Sequence, residues 1–240
     1  MTTNSFKTPS LPSDVTKALL ESKRPEIAEI ELTLFENCNI VCDFCFHDKK
    51  SPVGLTREEM FSKLPLVETF LRKQQGRVQL AQINLVGGEL LQDRWMERLC
   101  EDYLDLLKTA KKSFDFYQLP MKVVIVSNFL FKKREVVKDL LDKLREADID
   151  SHLIASYDFE GRPMSGAYRE NIEYFGPEYI CSVNLVGTKH SIKVFMEDKD
   201  PYFKYLYQNF NLFFDDFIPD KGADLSIPSD REFYEWYLFI

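Results

Sequence analysis

The sequence predicts an α/β fold in which six parallel strands form a partial (β/α)6 barrel, a TIM-like barrel that is incomplete and has its helices outside. Three observations predict it. Six short β-branched or alternating segments recur along the chain, stretches with helical periodicity separate them, and glycine or small polar residues follow several of them. Six units are fewer than the eight that close a TIM barrel. The 240 residues, 45% of them hydrophobic, can bury one domain.

The strand predictions rest on alternation and on β-branched runs. The first strand, EIELTLF, alternates polar and apolar residues with a period of two. The third, MKVVIV, is a β-branched run typical of a strand buried on both faces. In chain order the predicted strands are 29–35, 78–86, 121–126, 152–157, 179–186 and 212–218.

The helix predictions rest on caps and on apolar periodicity. Thr56 and Glu59 form a capping-box pattern, Pro65 should interrupt the helix that follows, and Gly76 can end it. A second capping-box pattern at Ser229 opens a last helix. The other helices are predicted at 13–23, 94–112, 134–147, 161–175 and 200–209.

Three regions follow from these elements. We expect a loose N-terminal arm and a leading helix over 1–28, a core domain over 29–218, and a helical C-terminal extension over 219–240 that packs on the core.

The net charge of -8 argues against broad, sequence-independent binding of nucleic acid, which relies on Lys and Arg. No apolar run approaches a membrane span, and the first residues lack a signal-peptide core. We therefore expect a cytoplasmic protein.

The most informative motif directly follows the first predicted strand. Cys38, Cys42 and Cys45, three of five cysteines, are spaced Cys-x3-Cys-x2-Cys. Thiolates are soft ligands that suit iron–sulfur clusters or zinc, and these three can converge on one centre if the loop wraps around it. The loop contains no fourth cysteine. In a four-iron cluster, that leaves one iron open to a substrate or cofactor.

The alternative is a structural zinc site with His47 as the fourth ligand. The spacing is cramped for a tetrahedron, and zinc would not explain the Gly-Gly-Glu motif at the next strand end, so the sequence favours the cluster. A disulfide framework fits an odd, clustered set of cysteines poorly. Cys100 and Cys181 lie inside a helix and a strand pattern and are expected to be buried small hydrophobic residues, so a second cluster is not expected.

Polar residues also follow the later strands. Gly87-Gly88-Glu89 ends the second strand, and a ligand could closely approach a backbone that lacks side chains. Alone, this motif would be an ordinary turn, and its position one unit after the cysteines favours a binding role. The next two strands end in similar residues, which commonly cap helices as well: Ser127, Asn128, Ser156 and Asp158.

Taken together, these motifs resemble the core of radical S-adenosylmethionine (radical SAM) enzymes, over about 29–218. The resemblance implies that Cys38, Cys42 and Cys45 ligate a [4Fe-4S] cluster and that SAM chelates its fourth iron. It assigns the segment Gly87, Gly88 and Glu89 to the SAM amino group. It also assigns to cofactor binding the aromatic residue before the last cysteine, Phe44, and four polar residues at strand ends, Ser127, Asn128, Ser156 and Asp158. Arg162 could pair with the SAM carboxylate, and Arg169 is a competing choice for that role.

The resemblance also implies a mechanism. One electron, from a donor such as flavodoxin or ferredoxin, reduces the cluster, SAM is cleaved to methionine and a 5′-deoxyadenosyl radical, and the radical takes hydrogen from a substrate. The stretch 156–162 resembles peptide-modifying members, so a peptide or protein side chain is the first expectation. The pair Phe46-His47 resembles the viperin branch and favours a nucleotide or small metabolite instead. A non-catalytic metal-binding scaffold is the alternative outside enzymes.

Overall fold

The computed structural model describes residues 27–42, 45, 56–157, 166–186, 189–197 and 201–215. The strands are β1 (Ile27–Thr33), β2 (Leu80–Val86), β3 (Met121–Ser127), β4 (Asp150–Tyr157), β5 (Ile180–Val186) and β6 (Leu212–Asp215). The helices are α1 (Arg57–Phe61), α2 (Leu64–Gln74), α3 (Met96–Phe116), α4 (Arg134–Glu146), α5 (Gly166–Tyr179), α6 (Lys189–Met196) and α7 (Pro201–Asn209).

The six strands form one sheet in the order of the sequence, β1 to β6, and every neighbouring pair is parallel. Each strand is joined to the next by a segment that contains at least one helix. The predicted α/β fold, a partial TIM-like barrel, is confirmed. Because all the strands run the same way, their carboxyl ends meet at one edge of the sheet.

The two faces of the sheet differ in chemistry. On one face the side chains are apolar and join the core with the helices, as Ile83, Ile125 and Leu185 do without exposed area. The other face carries polar and charged residues in register, with Glu29 opposite Gln82 and Gln82 opposite Lys122. Side chains alternate between the two faces along a strand, so these polar residues lie on the face opposite the one that the described helices cover, which we call the inner face of the partial barrel.

The helix boundaries follow local signals. The Thr56 hydroxyl accepts from the Glu59 N–H, the Glu59 carboxylate accepts from the Thr56 N–H, and this capping box starts α1. Pro65 lies in the first turn of α2, where its missing N–H costs nothing, so the predicted interruption is confirmed. Gly76 follows α2 with φ of +73°, a conformation that favours glycine.

Several boundaries differ from prediction. Helix α3 runs four residues further than expected, and α6 was not predicted as a separate helix. Gly176 has non-helical angles and Pro177 follows it, so α5 is kinked near its predicted end at 175. The predicted leading helix at 13–23, the last helix after Ser229 and residues 216–218 of the sixth strand lie outside the described residues. Among the described helices, none combines the length and the apolar composition that crossing a membrane requires.

Candidate active site

The cysteine loop leaves the carboxyl end of β1 and is fastened at once to the segment after β2. The Leu34 N–H donates to the Val86 carbonyl at 3.1 Å. Next, the Gly88 N–H donates to the Phe35 carbonyl at 2.8 Å and the Glu89 N–H to the Asn37 carbonyl at 2.9 Å. These bonds extend the β1–β2 pairing beyond both strands, so the residue directly before Cys38 is anchored by backbone.

Gly87 and Gly88 allow this close approach. A Cβ on Gly87 would lie 2.3 Å from the Phe35 oxygen, and one on Gly88 would lie 2.1 Å from the Asn37 oxygen and 2.2 Å from the Glu36 oxygen. Such contacts cannot form without moving the backbone. The sequence predicted that a ligand could approach these glycines, whereas in the structure the backbone that approaches them is that of the segment leading into the cysteine loop.

Glu89 joins the ends of β2 and β3. Its side chain is 1% exposed. One carboxylate oxygen accepts from the Leu91 N–H at 2.8 Å and from the Ser127 hydroxyl at 2.9 Å. The other accepts from the Asn128 N–H at 2.6 Å. A buried charge needs such donors, so this carboxylate fixes the relative position of two strand ends.

Asn128 completes the connection to the cysteine loop. Its Nδ2 donates to Asn39 Oδ1 at 2.8 Å and lies 3.9 Å from Cys38 Sγ, the outer limit for a hydrogen bond to sulfur. The predicted residues Glu89, Ser127 and Asn128 are therefore brought together beside the first cysteine. Ser156 is buried near the end of β4, one strand beyond Ser127. Phe44, Asp158 and Arg162 lie outside the described residues.

The three cysteines differ in exposure. Cys42 is buried, Cys38 and Cys45 are partly exposed, and none forms a disulfide. The Cys45 N–H donates to the Cys42 carbonyl at 3.2 Å. Among the residues that the structure describes, no three His, Cys, Asp or Glu side chains are grouped closely enough to hold a metal ion. His47, the proposed fourth zinc ligand, is not among them.

Two polar residues that the sequence analysis missed support the same segment. The Gln92 amide donates to the Asn37 carbonyl, the Asn37 side chain and the Glu89 carbonyl at 3.1–3.2 Å. The Tyr103 hydroxyl, from α3, donates to the Leu90 carbonyl at 3.1 Å. Burial raises the pKa of Tyr103 well above its usual value, so this hydroxyl keeps its proton. No local pattern marks either residue, because their partners are set by the fold.

A cavity of about 490 Å³, lined by both polar and apolar side chains, lies against the inner face of the sheet. Across its floor the Gln82 amide donates to Asn84 Oδ1 at 2.7 Å and the Asn84 amide donates to Glu29 Oε2 at 3.0 Å. Its polar lining is completed by Glu31, Lys122, Ser182, Asn184 and Asn211. Charges of both signs and several amides therefore face a space large enough for a small molecule or a peptide side chain.

Comparison with solved structures identifies the architecture. The chain superposes on anSMEcpe, an anaerobic sulfatase-maturating radical SAM enzyme, with bound AdoMet, at a TM-score of 0.63 and 16% sequence identity, covering 89% of this chain. The chain shares the fold of this enzyme. A structure of anSMEcpe with AdoMet and the Cp18Cys peptide matches at a TM-score of 0.60, also with 16% identity, and covers 90% of this chain.

The match covers only part of the anSMEcpe chain. The chain spans 59% of the anSMEcpe chain in both of these structures. No protein-family model matches the chain. The search of curated proteins likewise found no match. The similarity to anSMEcpe therefore rests on structure and not on sequence.

Cys100 differs from the loop cysteines in its chemistry. It is buried in α3, and burial, together with the carboxylates of Glu97, Asp139 and Glu101, raises its pKa to about 12. The thiolate is the reactive form. In cluster-free protein at about pH 8, we expect iodoacetamide to modify the partly exposed Cys38 and Cys45 well before the buried Cys100. Peptide mass spectrometry measures the order, denatured protein supplies the control in which every cysteine reacts, and equal rates in folded protein would contradict it.

Proposed function

We propose that this chain is a radical SAM enzyme in which Cys38, Cys42 and Cys45 hold a [4Fe-4S] cluster. The observation that carries the proposal is the position of the cysteine loop. It is anchored to Gly88 and Glu89 at the carboxyl edge of a parallel six-stranded sheet, in a fold shared with enzymes whose structures contain AdoMet. Ligands of α/β sheets bind at that edge.

The residues present fit the cluster by their chemistry. Three thiols lie within eight residues of one loop, and none is consumed by a disulfide. Thiolates are the ligands that iron–sulfur clusters use, and three of them leave one iron of four for SAM. When bound, the cluster and SAM supply a 5′-deoxyadenosyl radical for hydrogen abstraction.

The chain's own residues have the remaining tasks. Gly87 and Gly88 let the cysteine loop pass directly over the end of β2. Glu89, Ser127 and Asn128, with Gly87 and Gly88, form the proposed SAM side of the site, and Ser156, Asp158, Arg162 and Phe44 belong to it by resemblance. The helices exclude water from the outer face of the sheet, while the polar inner face offers amides and charges to a substrate. We place this catalytic core in residues 29–218.

A peptide or protein side chain is the proposed substrate. The inner-face cavity, with Glu29 and Lys122 at one level of the sheet, suits a polar chain that carries both charges, and an anSMEcpe structure contains a peptide. A viperin-like nucleotide or small metabolite is the alternative within the same chemistry. Transfer of deuterium from a labelled candidate into 5′-deoxyadenosine distinguishes these substrates. An electron donor such as flavodoxin or ferredoxin completes the proposal.

Metal loading tests the proposed cluster. After anaerobic reconstitution with iron and sulfide we expect a brown protein with broad visible absorption and bound acid-labile sulfide. Replacing Cys38, Cys42 or Cys45 by alanine should abolish most of the visible absorption and of the bound sulfide, because each substitution removes one of the three protein ligands. Cys100→Ala is the matched control and should load normally. A colourless wild-type protein that holds stoichiometric zinc would overturn the proposal in favour of a non-catalytic scaffold.

A further inference from the structure

The amide of Asn128 is aimed at the first cysteine. One of its two N–H groups is used by Asn39 Oδ1, at 2.8 Å. The other can point to Cys38 Sγ, 3.9 Å away. Hydrogen bonds to a charged acceptor are shorter and stronger than those to a neutral one, so this contact would tighten when Cys38 is an iron-bound thiolate.

The rest of Asn128 is held in place. Its N–H donates to Glu89 at 2.6 Å, and its Oδ1 accepts from the Leu130 N–H at 2.9 Å. Phe129, the next residue, has φ of +59°, in the left-handed region that a bulky side chain rarely adopts. Such a conformation persists only when the surroundings fix it. The direction of the Asn128 amide is thus set by its neighbours.

Asn171 of α5 supplies much of that restraint. It is 0% exposed, and its Nδ2 donates to the carbonyls of Phe129 and Phe131 at 2.8 and 2.7 Å. Its Oδ1 accepts from Arg134 Nε at 2.6 Å, and Arg134 also forms an ion pair with Glu170. Both N–H groups of the Asn171 amide are occupied, so this side chain ties the loop after β3 to a helix nearly forty residues later.

We propose that Asn128 is a positioning residue that donates a hydrogen bond to the Cys38 sulfur and raises the reduction potential of the cluster, and that Asn171 holds Asn128 in register. The inference rests on the proposed function, because it needs the cluster to be there. Reduction adds negative charge to the cluster, and a donor at a cysteine sulfur stabilises the reduced state. Hydrogen bonds to the sulfurs are among the factors that set such potentials.

The test is a reductive titration of the reconstituted cluster, followed by EPR. Asn128→Ala removes both N–H groups, and we expect the equilibrium constant for one-electron reduction to fall by up to about tenfold, equivalent to 59 mV. Asn128→Asp keeps the acceptor for the Leu130 N–H, so the turn survives while the donors are lost, and the potential should again fall. Asn171→Ala should shift it in the same direction. Asn209→Ala, which removes an exposed amide of α7 that donates to the Tyr205 carbonyl, should leave it unchanged.

The outcomes are distinct. Wild-type potentials in Asn128→Ala and Asn128→Asp, with wild-type iron content, would overturn this inference and leave the proposed function standing. If the wild-type protein takes up no iron–sulfur cluster, the proposed function fails and this inference fails with it. A fall in potential in both variants, without loss of iron, supports it.

Discussion

Replacing Gly88 by alanine is expected to destabilise the protein by about 3 kcal/mol or more. The new Cβ would lie 2.1 Å from the Asn37 oxygen and 2.2 Å from the Glu36 oxygen, and both atoms are backbone. A flexible side chain could turn away, whereas this backbone can move only by breaking the hydrogen bonds that Phe35 and Asn37 accept. The free energy of unfolding, from denaturant titration, measures the loss.

The same substitution should also lower iron loading, because the displaced segment leads directly into Cys38. Gly166→Ala is the matched control. Gly166 begins α5, where the nearest atom to an added Cβ is Glu170 Oε1 at 3.8 Å, and alanine favours a helix. We expect normal iron loading and equal or slightly higher stability for the control. Wild-type stability in Gly88→Ala would show that the loop does not cross β2 as described.

Replacing Glu89 by alanine should also cost about 3 kcal/mol or more. Three donors would lose their acceptor in a buried site: the N–H groups of Leu91 and Asn128 and the Ser127 hydroxyl. Each unsatisfied buried donor costs about 1–3 kcal/mol. Glu89→Gln keeps the shape of the side chain and one acceptor oxygen, so it should lower the free energy of unfolding by less than Glu89→Ala does. Glu173→Ala, at an exposed helix position, is the control and should change stability by less than about 0.5 kcal/mol.

Glu89→Gln also separates two roles of the carboxylate. If it binds the SAM amino group, as the resemblance implies, the variant should load iron normally and bind SAM more weakly, as measured by calorimetry on the loaded protein. Weak iron loading with unchanged affinity for SAM would indicate a purely structural role. Stability equal to wild type in Glu89→Ala would contradict the described network.

Local sequence patterns were sufficient to predict the fold and the position of the candidate site in it. Period-two alternation and β-branched runs predicted all six strands. The helix α6 was not predicted, although Ile192, Phe195 and Met196 have the spacing of an apolar helix face. Cys38, Glu89 and Asn128 were recognised as residues at strand ends, and the structure brings them together.

The supporting contacts could not be predicted. Gln92 bonds to Asn37, 55 residues earlier, and Asn171 bonds to Phe129, 42 residues earlier. A glutamine in a loop and an asparagine in a helix are ordinary residues until the fold supplies their partners. The glycines show the same limit. A ligand was expected to approach them, but the atoms that approach them in the structure are backbone atoms of Phe35–Asn37.

Formation of 5′-deoxyadenosine tests the central claim most directly. The anaerobically reconstituted protein is incubated with SAM and dithionite, and the products are separated by liquid chromatography and identified by mass spectrometry. The proposal predicts 5′-deoxyadenosine and methionine from the wild-type protein, and none from the variant in which Cys38, Cys42 and Cys45 are all alanine. Cluster-loaded wild-type protein that yields no 5′-deoxyadenosine with any reductant would contradict it.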